Sequence, residues 1–206
     1  MPYYVYKLKF LSPVHFGADI PGVKLEKVQP YCHADTFFSA LCQETLALSG
    51  LDEMNSLVLS AKKGDFLITD LFPYLSEELF LPKPFYHTKR DASYVEPEET
   101  DSGLANKKKM KDILFIPVSC WKDYLSYIRG DILDNARANL EKMLFNDDKS
   151  LYREATFQKV SVSREGKDTD PFFFSAITFT EDAGLYFILK TENQKMKDLI
   201  DKVLPS

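Results

Sequence analysis

Hydrophobic and polar residues alternate from Tyr3 to Phe10, with Tyr4, Tyr6, Leu8 and Phe10 on one side and Lys7 and Lys9 on the other. That period of two predicts a half-buried strand, ended by Ser12-Pro13. The segment from Phe16 to Gly22 holds two glycines and a proline and predicts an irregular loop. From Asp35 or Thr36, either of which can cap a helix, the spacing changes. Phe37, Phe38, Leu41, Thr45 and Leu48 now form one apolar stripe that stops at Gly50. A second helix is predicted over 52–63, capped by Asp52, turning Leu57, Val58 and Ala61 inward and ended by Gly64.

Residues 66–69 predict a short strand. Phe72-Pro73-Tyr74 and Leu81-Pro82-Lys83-Pro84 are expected to be extended and irregular, because each proline lacks a donor and biases its predecessor away from helix. From Phe85 to Lys111 periodicity gives way to charge, and a stretch of that length is either a projecting arm or a floppy insert. Residues 113–118 predict a buried strand. Ser119 can cap a helix carrying Trp121, Tyr124, Leu125 and Ile128 up to Gly130, and 131–145 predict another. Alternation returns over 157–163, and 172–180 with 185–190 predict a hairpin about the turn 181–184. Thr191 and Gln194 predict a capping box for a last helix bearing Met196, Leu199, Ile200 and Val203.

This order predicts an α+β protein with helices on one face of an antiparallel sheet. The last helix runs to Leu204-Pro205-Ser206 with no strand after it, so the C-terminal unit is expected to be incomplete by one strand. With 206 residues, 45% of them apolar and 14% aromatic, the chain can bury one large core or two small ones, which excludes a disordered tail or a disulfide knot. No apolar run approaches the ~20 residues of a membrane helix. The opening residues lack the pattern of a secretory signal, so a cytoplasmic location is expected. Cys32, Cys42 and Cys120 make an odd count without a CxxC pair and are expected to be ordinary thiols. The net charge of −5 argues against bulk coating of nucleic acid but leaves room for a local basic groove.

Catalytic signatures such as GxSxG, HExxH, the P-loop and the Rossmann fingerprint are absent. His15 follows a strand and precedes a glycine loop, a place where an imidazole can meet a phosphate or carry a proton; a solvated or core-edge histidine would look the same. Cys32, His33 and Cys42 lack a fourth zinc ligand, and no metal or cofactor is expected. Lys107, Lys108, Lys109 and Lys111 form either a solvated face or, with Phe85 and Tyr94 nearby, an arm that reaches along a nucleic-acid backbone. Ser163 and Arg164, with Lys167 beyond Gly166, leave a strand in a manner suited to phosphate, as a plain hairpin turn also would. Phe172-Phe173-Phe174 are taken as core.

The pieces Tyr6–Phe10, Ser12–Gly17, Ala34–Cys42, Asp70–Tyr74 and Leu81–Pro84 together resemble the RAMP superfamily. More narrowly, they are similar to the subunit that caps the crRNA 5′ tag in type III-A CRISPR (Csm) effector complexes. Lys108–Lys111 before Phe115–Pro117, Val160–Arg164 and Leu185–Phe187 agree, so the likeness spreads over nearly the whole chain. The resemblance implies tandem ferredoxin-like (RRM-like) lobes: 1–150, with a projecting thumb insertion over 85–111, and a partial second lobe over 151–206. It implies a non-catalytic protein that grips the repeat-derived tag and adjoins both the large polymerase-like subunit and a backbone RAMP subunit. His15, Phe16 and Gly17 would lie beside the RNA groove and Asp35 and Ser39 at a helix start facing it. Lys107, Lys108, Lys109 and Lys111 would lie on the thumb, and Ser163 and Arg164 on the second wall. The glycine-rich loop that such proteins carry near the C-terminus has no counterpart among the eight glycines here. The alternative is a metal-independent endoribonuclease of RAMP fold that processes guide precursors with His15 as general base.

Overall fold

The computed structural model describes residues 1–17, 25–84, 112–129, 150–162 and 169–204. The chain divides into two compact units, Met1–Leu75 with Leu151–Ser206, and Ser76–Ser150.

In the first unit, β1 (Tyr3–Leu8) leads to α1 (Ala34–Ser49), α2 (Leu51–Lys63), β2 (Phe66–Ile68) and β3 (Phe72–Leu75). The second unit interrupts with β4 (Glu78–Pro82), β5 (Phe115–Pro117) and α3 (Trp121–Arg129). The first unit resumes with the long strands β6 (Tyr152–Val162) and β7 (Thr169–Phe179), then β8 (Ala183–Thr191) and α4 (Gln194–Val203). Strand β8 is the axis of the sheet, antiparallel to β1 on one side and to β2 and β3 on the other. Its side chains at Leu185, Phe187 and Leu189 are fully buried, with Phe37 and Leu41 of α1, Leu57 of α2, and Met196 and Ile200 of α4. Three helices thus cover one face of the sheet, driven by removal of apolar surface from water.

The division differs from a boundary at residue 150. Residues 151–206 are expected to begin a separate lobe, yet β8 and α4 complete the core that β1 and α1 begin. Pairing across some 180 residues obeys no local period, so the sequence pattern alone does not reveal it.

Several ends are set by side chains from elsewhere in the fold. The first amide of α1, at Ala34, donates to Asp70 Oδ1 at 2.7 Å, whereas Asp35 accepts from the amide and the hydroxyl of Thr36. Gly64 ends α2 as expected, at φ +74° with its N–H on the carbonyls of Ser60 and Ala61. The cap of α4 is Asn193, whose side chain accepts from Met196 N–H. Thr191 is buried and instead donates to the Asp65 carbonyl and accepts from Asn193 N–H. Pro73 and Pro82 lie inside β3 and β4, so ladder formation overrides the irregularity that prolines predict.

A polar knot joins β1 to α4. Tyr6 donates to Asp201 Oδ1 at 2.5 Å and Lys197 Nζ meets Asp201 Oδ2 at 2.5 Å. The Lys197 bond, followed by that from Tyr6, holds the Asp201 carboxyl below its usual value. A depressed folded pKa adds stability that is complete above the unfolded value of ~3.9 and is lost as pH falls from there through the folded value. Asp201→Asn is therefore expected to narrow the loss of urea midpoint between pH 6 and pH 2.5; an unchanged loss would show that the knot does not contribute.

In the second unit, β4 and β5 pair antiparallel, with Phe80 opposite Pro117 and Leu81 opposite Ile116. Ile116, Cys120 and Tyr124 form its core. A 3₁₀ turn, Val118–Cys120, precedes α3, and the Ser119 amide donates to Glu78 Oε1 at 2.9 Å. The carboxylate of Glu78 thus serves the helix start where Ser119 is the expected cap. The helix predicted over 131–145 and the arm 85–111 lie outside the described residues.

Candidate nucleic-acid interface

Beyond β1 the chain runs into β7. Val14 and Ile177 exchange two backbone hydrogen bonds, each 2.8 Å, which delivers His15 to the neighbouring strand position. Its Nδ1 lies 2.6 Å from the carbonyl oxygen of Ser175. A carbonyl can only accept, so Nδ1 carries the hydrogen, and in the neutral ring Nε2 keeps a free lone pair. That Nε2 lies toward Gly17, where an added Cβ would stand 3.9 Å away. Gln29 closes the turn: its amide donates to Phe16 O at 3.0 Å and its side chain to Gly17 O at 2.6 Å. The Phe16 ring packs edge-on to Phe10, which stacks on Phe179 at 5.3 Å. His15, Phe16 and Gly17 are in this way fixed against β7 by backbone bonds and by the edge of the core.

The ribbon of β6 and β7 supplies what sequence reasoning missed. Register places Arg153, Phe157 and Lys159 of β6 on one face, opposite Thr178, Phe174 and Phe172 of β7. The rings of Phe157 and Phe174 stack at 5.5 Å, Lys159 Nζ stands 4.6 Å from the Phe174 centroid, and the His15 ring is 5.9 Å from it. Phe157 remains 42% exposed, unusual for a phenylalanine in a strand centre. Glu154 belongs to the other face, so among side chains that are described this one carries cations and no carboxylate. Aromatic faces between cations are what a single-stranded nucleic acid needs: rings to stack bases and ammonium or guanidinium groups to meet phosphates. The signal is present in the sequence, as Arg153, Phe157 and Lys159 at even spacing, but only the partner register brings Phe174 and His15 to it.

Asp35 and Ser39 share an exposed face of α1, and among the described residues no hydrogen bond, ion pair or ring contact joins either to His15. Lys107, Lys108, Lys109 and Lys111, and Ser163 and Arg164, lie outside the described residues.

Near the start of α1, His33 Nδ1 stands 3.3 Å from Asp70 Oδ2, and the Tyr31 ring meets the imidazole edge-on. The neighbouring Cys32 thiol is pushed up to about 11 by burial, then by Asp35 and Asp70, so it stays neutral and a poor metal ligand at neutral pH. Among the described residues no group of three His, Cys, Asp or Glu side chains is placed to hold a metal ion, and no helix is long and apolar enough to cross a membrane.

No protein-family model matches the chain. Two curated relatives from strains of Mycobacterium tuberculosis, both named CRISPR system Cms protein Csm4, are 29% identical to it over 190 residues, covering 92% of this chain and 54% of theirs. The chain therefore spans about half the length of these relatives. Among solved structures, a Csm1-Csm4 cassette in complex with cA4 contains a chain that superposes with a TM-score of 0.58 at 19% identity, over 99% of this chain and 64% of that one. A Csm3-Csm4 subcomplex in the type III-A CRISPR-Cas interference complex gives 0.54 at 16%, over 97% and 61%. At such identities the superpositions establish a shared fold of mixed helices and antiparallel sheet.

Proposed function

We propose that the chain, similar to the Csm4 relatives, is a RAMP-superfamily protein and a non-catalytic crRNA-binding subunit of a type III-A CRISPR interference complex. In this reading it caps the 5′ repeat-derived tag and adjoins the large polymerase-like subunit and the first backbone subunit. One observation carries the reading: the bridge of Val14 to Ile177 sets His15 beside Phe174, on a ribbon face that bears Arg153 and Lys159. Bases of the tag stack on the exposed rings, while the two cations and the imidazole meet its phosphates.

The succession of β1, α1, β2, β8 and α4, with β8 between β1 and β2, follows the β-α-β-β-α order of a ferredoxin-like lobe. We take the first unit as one such lobe, with the second unit and the ribbon inserted between β2 and β8. The thumb assigned to 85–111 remains part of this proposal.

General acid–base cleavage of RNA needs a second proton-transfer group near His15. The groups that contact the His15 ring, the Ser175 carbonyl and the Phe174 ring, carry no proton to transfer, and Lys159 over the latter ring is placed as a cation for phosphate, which favours binding over the endoribonuclease alternative. The test is nuclease digestion of the assembled complex with and without the full-length subunit. Tag nucleotides are expected to be protected only when the subunit is present, and repeat RNA incubated with it in EDTA is expected to stay intact. A tag equally exposed in both complexes, or cleavage abolished by His15→Ala, would contradict the proposal.

A further inference from the structure

The two nitrogens of the His15 ring have different prospects. Nδ1 is committed, because it donates to the Ser175 carbonyl oxygen at 2.6 Å. That bond fixes the tautomer, so in the neutral ring Nε2 can only accept. The anchor itself is rigid: Ser175 is fully buried, its amide donates to the Leu25 carbonyl at 3.0 Å, and its hydroxyl pairs with that of Thr156 at 2.8 Å. Among the described residues Nε2 has no hydrogen-bond partner. On its side Gly17 contributes no side chain, and the Cβ of an alanine there would stand 3.9 Å away. The imidazole lies 5.9 Å from Phe174 with the ring planes at 50°, so it leans beside the stacked pair of Phe157 and Phe174. No other group on this face does what Nε2 does. Arg153 and Lys159 only donate, Phe157 and Phe174 offer apolar planes, and the hydroxyls of Ser161 and Thr178 serve either way. Among the described side chains of the face, Nε2 of the neutral ring alone accepts without donating.

We propose that His15 is a specificity-determining residue of the RNA site, whose Nε2 accepts a hydrogen bond from a neutral donor on the nucleotide seated at Phe157 and Phe174. This rests on the RNA-binding function proposed above and adds to it what the bound nucleotide must carry. Two groups of a nucleotide have the required chemistry, the ribose 2′-hydroxyl and the exocyclic amino group of a base. A phosphate oxygen carries no hydrogen to give, and this ring meets it only as imidazolium, a service that Arg153 and Lys159 already provide. Readout of the hydroxyl makes the site prefer RNA to DNA. Readout of the amino group makes it reject uridine, which has none. In both cases the Ser175 carbonyl, by holding Nδ1, sets the acceptor in place before the RNA arrives, so little ordering is left to do on binding.

The test titrates the full-length protein with tag RNA changed at one nucleotide at a time. In one set 2′-deoxyribose replaces ribose. In the other the base lacks its amino group: purine riboside for adenosine, inosine for guanosine, 2-pyrimidinone riboside for cytidine. Wild type is expected to lose about fivefold in affinity at one nucleotide, the worth of a single hydrogen bond, and the set that shows the loss names the donor. The side-chain amide of His15→Asn still donates toward Ser175 but has no atom at the Nε2 position. This variant should bind unmodified tag about fivefold more weakly than wild type does, with no further loss on the modified one. His15→Phe keeps a ring beside Phe174, should behave alike, and guards against a packing fault in the first variant. The salt slope should stay as in wild type for both. No loss at any nucleotide in wild type, or the same loss in wild type and both variants, overturns the inference. A slope flattened by about 0.7 in the variants also overturns it, because the ring then meets a phosphate as a cation. Failure of the proposed function appears separately, as equal wild-type affinity for unmodified tag and unrelated RNA. The same substitutions made in the unrelated strand would still read the acceptor.

Discussion

Replacing Gly184 with alanine is expected to lower stability by about 3 kcal/mol, near the upper end for overpacking a closed site. Gly184 lies in β8 opposite Tyr74, and a Cβ built on it would stand 2.2 Å from the Leu8 carbonyl oxygen and 2.9 Å from the Tyr74 ring and hydroxyl. The first of these is backbone of a paired strand and cannot swing aside. Tyr74 is itself buried, so its ring has little room to yield. The strands must separate, or β8 must shift against β1 and disturb the buried row Leu185, Phe187 and Leu189. With a urea dependence of ~2 kcal/mol per molar, the midpoint should fall by about 1.5 M. A fall under about 0.3 M would mean that the sheet is looser than described. Gly17→Ala is the matched control, since its methyl would meet nothing nearer than His15 Nε2 at 3.9 Å.

The second large effect concerns RNA. Arg153→Glu with Lys159→Glu reverses both described cations on the ribbon face while leaving the stacked pair Phe157 and Phe174 and the buried side of the strands untouched. Both side chains are exposed, so the fold should survive. Each single-strand phosphate neutralised contributes about −0.7 to the slope of log K against log salt. Loss of two such contacts should flatten the slope by about 1.4 and, with the added repulsion, weaken tag RNA by about a hundredfold near 0.1 M salt. Filter binding over a salt series reads both quantities. An unchanged slope would show that these side chains do not face phosphate.

Local signals in the sequence translate directly into structure. The alternation around Tyr4, Tyr6 and Leu8 becomes β1, and the stop at Gly64 becomes a left-handed cap. What fails is whatever depends on a distant partner. Asp35 or Thr36 is the local cap for α1, but Asp70 takes the Ala34 amide; Ser119 is the local cap near α3, but Glu78 takes its amide. Pro73 and Pro82 argue for irregular chain until β3 and β4 acquire partners. The pairing of β8 with β1 across most of the sequence is likewise beyond any local signal. In the site, His15, Phe16 and Gly17 stand out because a strand end followed by glycine is a local pattern. Lys159 and Phe174 do not, since neither has meaning until the β6–β7 register sets one beside the other.

The most direct measurement is a competition titration in which the full-length protein chooses between the repeat-derived tag and an unrelated RNA of equal length. A subunit that grips the tag through His15, Phe174 and the ribbon cations should prefer the tag about tenfold or more, since contacts to bases add discrimination that phosphates alone do not. Equal affinity for the two RNAs would contradict tag recognition and leave only electrostatic adhesion.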